Sequence, residues 1–138
     1  MTQTDDKHQG GCLCEAVRYE IAGTIEKVVY CHCQRCRKAS GSAFAAVAPV
    51  LQSHFVITRG QQHLKNYRTE AGVNRTFCGL CGSPIIAYRD SDPAVLRVRI
   101  GSLDTPLEEK VSAHIFVASK AEWHDIHDDA PQYDERPY

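Results

Sequence analysis

The stretch "VVYCHCQRCRKASG", Val28 to Gly41, places Cys31, Cys33 and Cys36 in a six-residue span. Its reading decides the fold, because close-set thiols either gather a metal ion or pack as small hydrophobes. A zinc ion that only holds a fold together takes four protein ligands, whereas one that does chemistry usually takes three and keeps a position open. The trio is therefore a complete site with an open position, a fragment of a four-ligand site, or three buried thiols.

Two further groups lie outward from it, "GGCLCE" with Cys12 and Cys14 and "FCGLCG" with Cys78 and Cys81. The second is a knuckle signal: a C-x-x-C turn brings two thiolates onto one ion, and Gly79 and Gly82 supply the backbone freedom such a turn needs. Residues two apart in a flat strand share a face, so Cys12 and Cys14 are able to share an ion, as are Cys31 and Cys33, with Cys36 returning on the next turn. Seven cysteines in all is an odd number, which argues against a closed set of disulfides and for metal ligands or reactive thiols.

Composition bounds the rest. The 138 residues suit one domain with a real core, expected at about 11–131, with flexible tails at 1–9 and 132–138. The opening "MTQTDDKHQ" carries no apolar stretch of a secretory leader, and no apolar run has the length of a membrane span, so the expectation is a cytoplasmic protein with reduced thiols. Sixteen Lys and Arg against 17 Asp and Glu give a net charge of -1 with no basic tract, which excludes an electrostatic footprint for nucleic acid. Small molecules or proteins are the expected partners; nothing speaks to oligomeric state.

The dominant periodicity is two, which predicts a mainly β chain. In "AVRYEIAG" Val17, Tyr19 and Ile21 alternate with Arg18 and Glu20; in "AVLRVRIGSL" Leu96, Val98 and Ile100 alternate with Arg97 and Arg99. "KVVY", "SAFAAVAPV" closed by Pro49, "HFVITRG" and "HLKNYRT" joined across Gly60, "VNRTF", "PIIAYR" and "SAHIFVAS" read as further strands. Helix is expected only in a short turn after Cys36 and in "SKAEWHDI", where Ser119 caps and Glu122 completes a capping box. The expected architecture is a twisted antiparallel sheet or sandwich with metal knuckles in its turns.

The residues leave three partitions of the cysteines open. All seven are small buried hydrophobes; or Cys33, Cys36, Cys78 and Cys81 form a zinc ribbon; or Cys12, Cys14, Cys78 and Cys81 form a closed site beside a separate trio. The third uses every cysteine. Together, "GxCxC", "CHCxxCRKxxGSxF", "FCxxCGSPI", "HIFVASKAEWHDI" and the Pro-Gln-Tyr tail closely resemble the glutathione-dependent formaldehyde-activating enzyme family, with its centromere-protein-V-like domain, from about Gly11 to Pro131. The resemblance implies a β-rich, zinc-stabilised fold shared with B-type methionine sulfoxide reductases and a Rab-binding exchange chaperone. It also implies the third partition: structural zinc on Cys12, Cys14, Cys78 and Cys81, and catalytic zinc on Cys31, Cys33 and Cys36, the second site filled in part or in full. The family reaction joins formaldehyde and glutathione as S-hydroxymethylglutathione.

An open three-thiolate zinc accepts one more soft ligand and deprotonates a thiol that binds it. The expected activity is thus that of a carbon–sulfur lyase acting on a small thiol and an aldehyde-derived adduct; the rival is a zinc-stabilised binding or redox-sensing module without catalysis. Arg35, Arg37 and Lys38 offset the negative charge of such a site, and Arg35 and Lys38 are the candidates to hold a carboxylate of the thiol substrate. Ser40, Gly41 and Ser42 read as a plain turn. His32, flanked by Cys31 and Cys33, points away from both and is expected behind the metal or at the surface. His114 is expected as a satisfied core histidine, and Trp123 and Tyr88 as core or cap residues.

Overall fold

The computed structural model describes residues 7–137; positions 1–6 of the expected N-terminal tail, and Tyr138, lie outside the described residues. Among the described residues ten strands follow one another as β1 Lys7–Gly11, β2 Arg18–Ala22, β3 Val29–Cys31, β4 Ala45–Leu51, β5 Phe55–Arg59, β6 Leu64–Arg68, β7 Val73–Cys78, β8 Pro84–Arg89, β9 Asp92–Arg99 and β10 Ala113–Ile115, with one α-helix, α1 Gln34–Ser40. The protein is mainly β, as the period-two pattern predicts. The chain divides into two compact units, one holding the residues up to Ile25 and Ala48–Leu107, the other Glu26–Val47 and the chain from Glu108 onward.

In the first unit β1, β2 and β5 form an antiparallel sheet, with His8 opposite Ile21 and Tyr19 opposite Ile57. β6, β7, β8 and β9 form an antiparallel run, and the end of β4 lies next to β9. The alternation seen in the sequence faces one core: Tyr19 and Ile21 from β2, Ile85 from β8, Val98 from β9 and Ala48 and Val50 from β4 are buried together with Cys12 and Cys78. Each large apolar side chain so buried contributes about 1.5–3 kcal/mol. Tyr19 stacks on Phe55 with ring centroids 5.1 Å apart, and its hydroxyl meets the Ser102 Oγ at 2.6 Å, which satisfies its one polar atom. Arg99, which alternation assigns to the polar face, is buried.

The second unit is built on β3. The start of β4 pairs with it antiparallel, Cys31 opposite Ala45, and β10 pairs with it on the other side in parallel, Ile115 opposite Cys31. The parallel pair departs from the all-antiparallel expectation. The chain beyond β10 folds back along it: His114 N–H donates to the Pro131 carbonyl at 2.9 Å, and Tyr133 N–H to the His114 carbonyl at 2.9 Å.

Three local expectations are corrected. No helix forms over "SKAEWHDI": Phe116 adopts φ 57, a single 3-10 turn covers Val117–Ser119, and the Lys120 ammonium donates to the carbonyls of Ala121 and His124. With those carbonyls taken by a side chain, the capping box has no helix to open. β4 is not closed by Pro49 but runs through it to Leu51. A strand not anticipated, β1, arises from the polar sequence KHQGG, whose pairing with β2 rather than its own hydrophobicity holds it.

Candidate metal centres

Cys12 and Cys14 do not meet on a flat strand. They lie in a turn after β1, closed by hydrogen bonds from Cys12 N–H to the Val17 carbonyl and from Glu15 N–H to the Cys12 carbonyl, at 3.0 and 3.1 Å, with Glu15 at φ 67. Cys78 ends β7, and Cys81 follows in a turn where Gly82 N–H donates to the Cys78 carbonyl at 2.8 Å. The two glycines of this knuckle serve different needs. Gly82 sits at φ 83, a conformation that side chains resist, whereas a Cβ on Gly79 would come within 2.9 Å of the His63 carbonyl oxygen.

These turns bring the sulfurs of Cys12, Cys14, Cys78 and Cys81 within 4.8 Å of one another. Cys12 Sγ lies 3.6 Å from Cys14 Sγ, which lies 3.9 Å from Cys78 Sγ. Four sulfurs at tetrahedral corners around zinc, each about 2.3 Å from it, stand about 3.8 Å apart, so the donor set has the size that the ion requires. Backbone N–H groups aim at the sulfurs, Val17 at Cys12 Sγ (3.2 Å) and Leu80 at Cys78 Sγ (3.4 Å), as a thiolate rather than a thiol demands. Ser83 adds its hydroxyl, 3.2 Å from Cys81 Sγ; this contact, with the N–H groups of Ser83 and Cys14, pulls the Cys81 thiol down to about 5. Leu13 and Leu80, between the ligands of each turn, point into solvent. A cleft of about 720 Å³ opens beside Cys12, walled in part by Arg18 and by Asp104, whose carboxylate Arg18 pairs at 2.6 Å. It borders a sulfur set that is already complete.

The trio is assembled differently. Cys31 ends β3 and is buried; Cys33 is the N-cap of α1, its sulfur accepting from Cys36 N–H at 3.3 Å; Cys36 lies in the helix's first turn. Their three sulfurs also lie within 4.8 Å of one another, and among the described residues no His, Asp or Glu ligand atom joins them. Hydrogen bonds from Cys31 and then Cys36 hold the Cys33 thiol well below its ordinary range, while the same bond to Cys33, Cys36 and burial hold Cys31 well above it. Three sulfurs this close together form a compact donor set for a soft cation.

The neighbours named from sequence fall into distinct places. Arg35 and Lys38 are exposed on α1, while Arg37 reaches the Ser119 carbonyl at 3.0 Å and ties the helix to the turn after β10. Gly41, at φ 62, and Ser42 donate their N–H groups to the Arg37 carbonyl, so this turn caps α1 and has no N–H to offer a ligand. His32 is fully buried and outside the sulfur set: its Nε2 meets His114 Nδ1 at 2.8 Å, and burial lowers its pKa to about 4. His114 is buried and has partners at both nitrogens, the second being Asp128 at 3.0 Å. Tyr88 is half-buried, whereas Trp123, expected in the core or a cap, is 70% exposed. Asp128 was not among the residues singled out from sequence; an acidic residue in a polar tail gives no local signal.

Fold and sites together define a mainly β protein with one closed and one three-sulfur cysteine centre. The family model described as Glutathione-dependent formaldehyde-activating enzyme matches residues 7–119, and the chain belongs to that family. Its fold is also similar to a crystal structure of a protein from Rhodobacter sphaeroides, 25% identical, covering 72% of this chain and 91% of that one, with a TM-score of 0.62. Among the described residues no helix is long and apolar enough to cross a membrane.

Proposed function

We propose that the chain is a zinc enzyme of the carbon–sulfur lyase kind, working on a small glutathione-like thiol and an aldehyde-derived adduct at Cys31, Cys33 and Cys36. The observation that carries this reading is the contrast in donor number: four sulfurs converge at Cys12, Cys14, Cys78 and Cys81, and three at the trio. Zinc held by the first set would be closed and structural; zinc held by the second would keep a position for substrate. Bound there, it would supply an ionised, positioned substrate thiol at neutral pH. The family match supports a glutathione-type substrate.

The chain's own residues do the rest. Cys31, on a strand end, and Cys33 and Cys36, on a capped helix, fix the donor geometry. Arg35 and Lys38, exposed on the same helix, would attract a carboxylate of the thiol substrate. In the addition direction the thiolate sulfur forms a bond to the aldehyde carbon, the carbonyl π pair moves to oxygen, and that oxygen takes a proton; in reverse the C–S bond breaks. A cytoplasmic setting fits the reduced thiols such a site requires.

Uncatalysed addition of thiols to formaldehyde is easy, so the test is acceleration of exchange at equilibrium. Exchange between formaldehyde and S-hydroxymethylglutathione, followed by NMR, is expected to be faster with the wild type than with Cys33→Ser or buffer. Equal exchange in all three, with zinc present in both centres of the wild type, rejects this substrate pair and leaves the binding or redox-sensing module, in which the same thiols respond to oxidant.

A further inference from the structure

We propose that Asp128 is a positioning residue for the three-cysteine centre, acting through His114 on His32 and so on the backbone that carries Cys31 and Cys33. The inference rests on the reading of the trio as a metal centre.

The path is continuous and mostly buried. The Asp128 carboxylate lies 3.0 and 3.1 Å from His114 Nε2, His114 Nδ1 lies 2.8 Å from His32 Nε2, and both rings are 2% exposed or less. An ionised carboxylate only accepts, so His114 Nε2 carries a proton and donates it to Asp128. In the form with one proton on each ring, His114 Nδ1 is then an acceptor, His32 Nε2 donates to it, and His32 Nδ1 is left as a lone pair. That atom is buried and has no hydrogen-bond partner. In that form one carboxylate sets the tautomer of two imidazoles in series.

The second ring sits on the backbone that carries two of the cysteines. His32 N–H donates to the Ile115 carbonyl at 3.0 Å, which fixes its main chain against β10, while its ring packs 5.3 Å from Phe44 and 6.1 Å from His124, centroid to centroid. Cys31 and Cys33 are its two covalent neighbours. Rotation of the ring breaks the bond to His114 and, at a fully buried position, forces its surroundings to repack against the strand end that carries Cys31 and Cys33. An unpartnered buried nitrogen is a cost to stability, so this polar chain is better explained by what it fixes than by what it stabilises. The carboxylate end is anchored too: the Ala130 N–H donates to Asp128 Oδ1 at 2.9 Å, and this bond, then His114, holds the carboxyl below its usual range. The segment that folds back along β10 is thereby tied to the trio.

The test compares zinc-loaded wild type, Asp128→Ala, Asp128→Asn and, as a neighbouring control, Asp129→Ala. Long-range proton–nitrogen NMR reads the histidine tautomers, backbone amide shifts read the two cysteine clusters, and chelator competition reads zinc affinity at each. Wild type should show the Nε2–H form at both His32 and His114. Asp128→Ala should lose it, shift the amides of Cys31 and Cys33 but not those of Cys78 and Cys81, and weaken zinc at the trio on the order of tenfold. Asp128→Asn, whose amide oxygen still accepts from His114, should recover most of that loss, and Asp129→Ala should match wild type. Unchanged rings and unchanged Cys31 and Cys33 amides in Asp128→Ala overturn the inference, as does equal weakening of both centres. If wild type takes zinc only at the four-cysteine set, the metal reading of the trio fails, and the tautomer and amide measurements still decide whether Asp128 positions His32.

Discussion

The four-cysteine and three-cysteine centres use the same ligand and differ in how much chain they close. Cys14 and Cys78, whose sulfurs are 3.9 Å apart, are 64 residues apart in sequence, whereas Cys31, Cys33 and Cys36 share one six-residue span. An ion at the first joins two distant turns and removes the entropy of a long loop; an ion at the second orders only a strand end and one helical turn. Their surroundings differ to match. Cys12 and Cys78 belong to the hydrophobic core of their unit, and the trio is backed by a chain of histidines. A long-range, core-embedded, complete donor set is a device for stability, and a local, incomplete one is a device for binding.

If that contrast is right, the two centres fail differently. The largest effect is expected from Cys78→Ser, which removes a fully buried ligand of the long-range set: destabilisation of more than about 4 kcal/mol, or outright unfolding, read by thermal melting with zinc quantification. Gly82→Ala should act on the same centre through the backbone alone, by roughly 1–2 kcal/mol, because it forces a side chain to φ 83. Cys33→Ser should leave melting within about 1 kcal/mol of wild type, since serine is itself a good N-cap for α1, while zinc at the trio is lost. Equal unfolding by Cys78→Ser and Cys33→Ser would break the comparison and favour one ribbon built from both knuckles. The smallest effect is expected at Leu80→Ser, within about 0.5 kcal/mol, because this side chain at the knuckle tip is 63% exposed and only its backbone serves the site.

What the sequence discloses follows from how local each feature is. β2 and β9 are legible because their alternation is written residue by residue, and the close-spaced cysteine clusters are legible because such clusters are rare by accident, whereas the joining of Cys12 and Cys14 to Cys78 and Cys81 comes from the family resemblance. β1 is not, since KHQGG has no apolar face and becomes a strand only through its partner. The parallel pairing of β10 with β3 joins segments on either side of the other unit's strands, which no local pattern records. The capping-box pattern at Ser119 and Glu122 misleads because the Lys120 side chain and the left-handed Phe116 commit the backbone elsewhere. Read one at a time, His32 is a residue behind the metal or at the surface and His114 a satisfied core histidine. Their connection to Asp128 exists only in three dimensions.

Cobalt(II) substitution of both centres tests the central claim most directly, because each thiolate bound to cobalt adds charge-transfer absorption and reports the coordination number. Titration with glutathione should raise that absorption in wild type as a further sulfur joins the trio, and should leave Cys33→Ser, with only the closed centre loaded, unchanged. A spectrum that does not respond to glutathione with both centres filled, or one that responds equally in Cys33→Ser, would contradict the assignment of Cys31, Cys33 and Cys36 as the open centre.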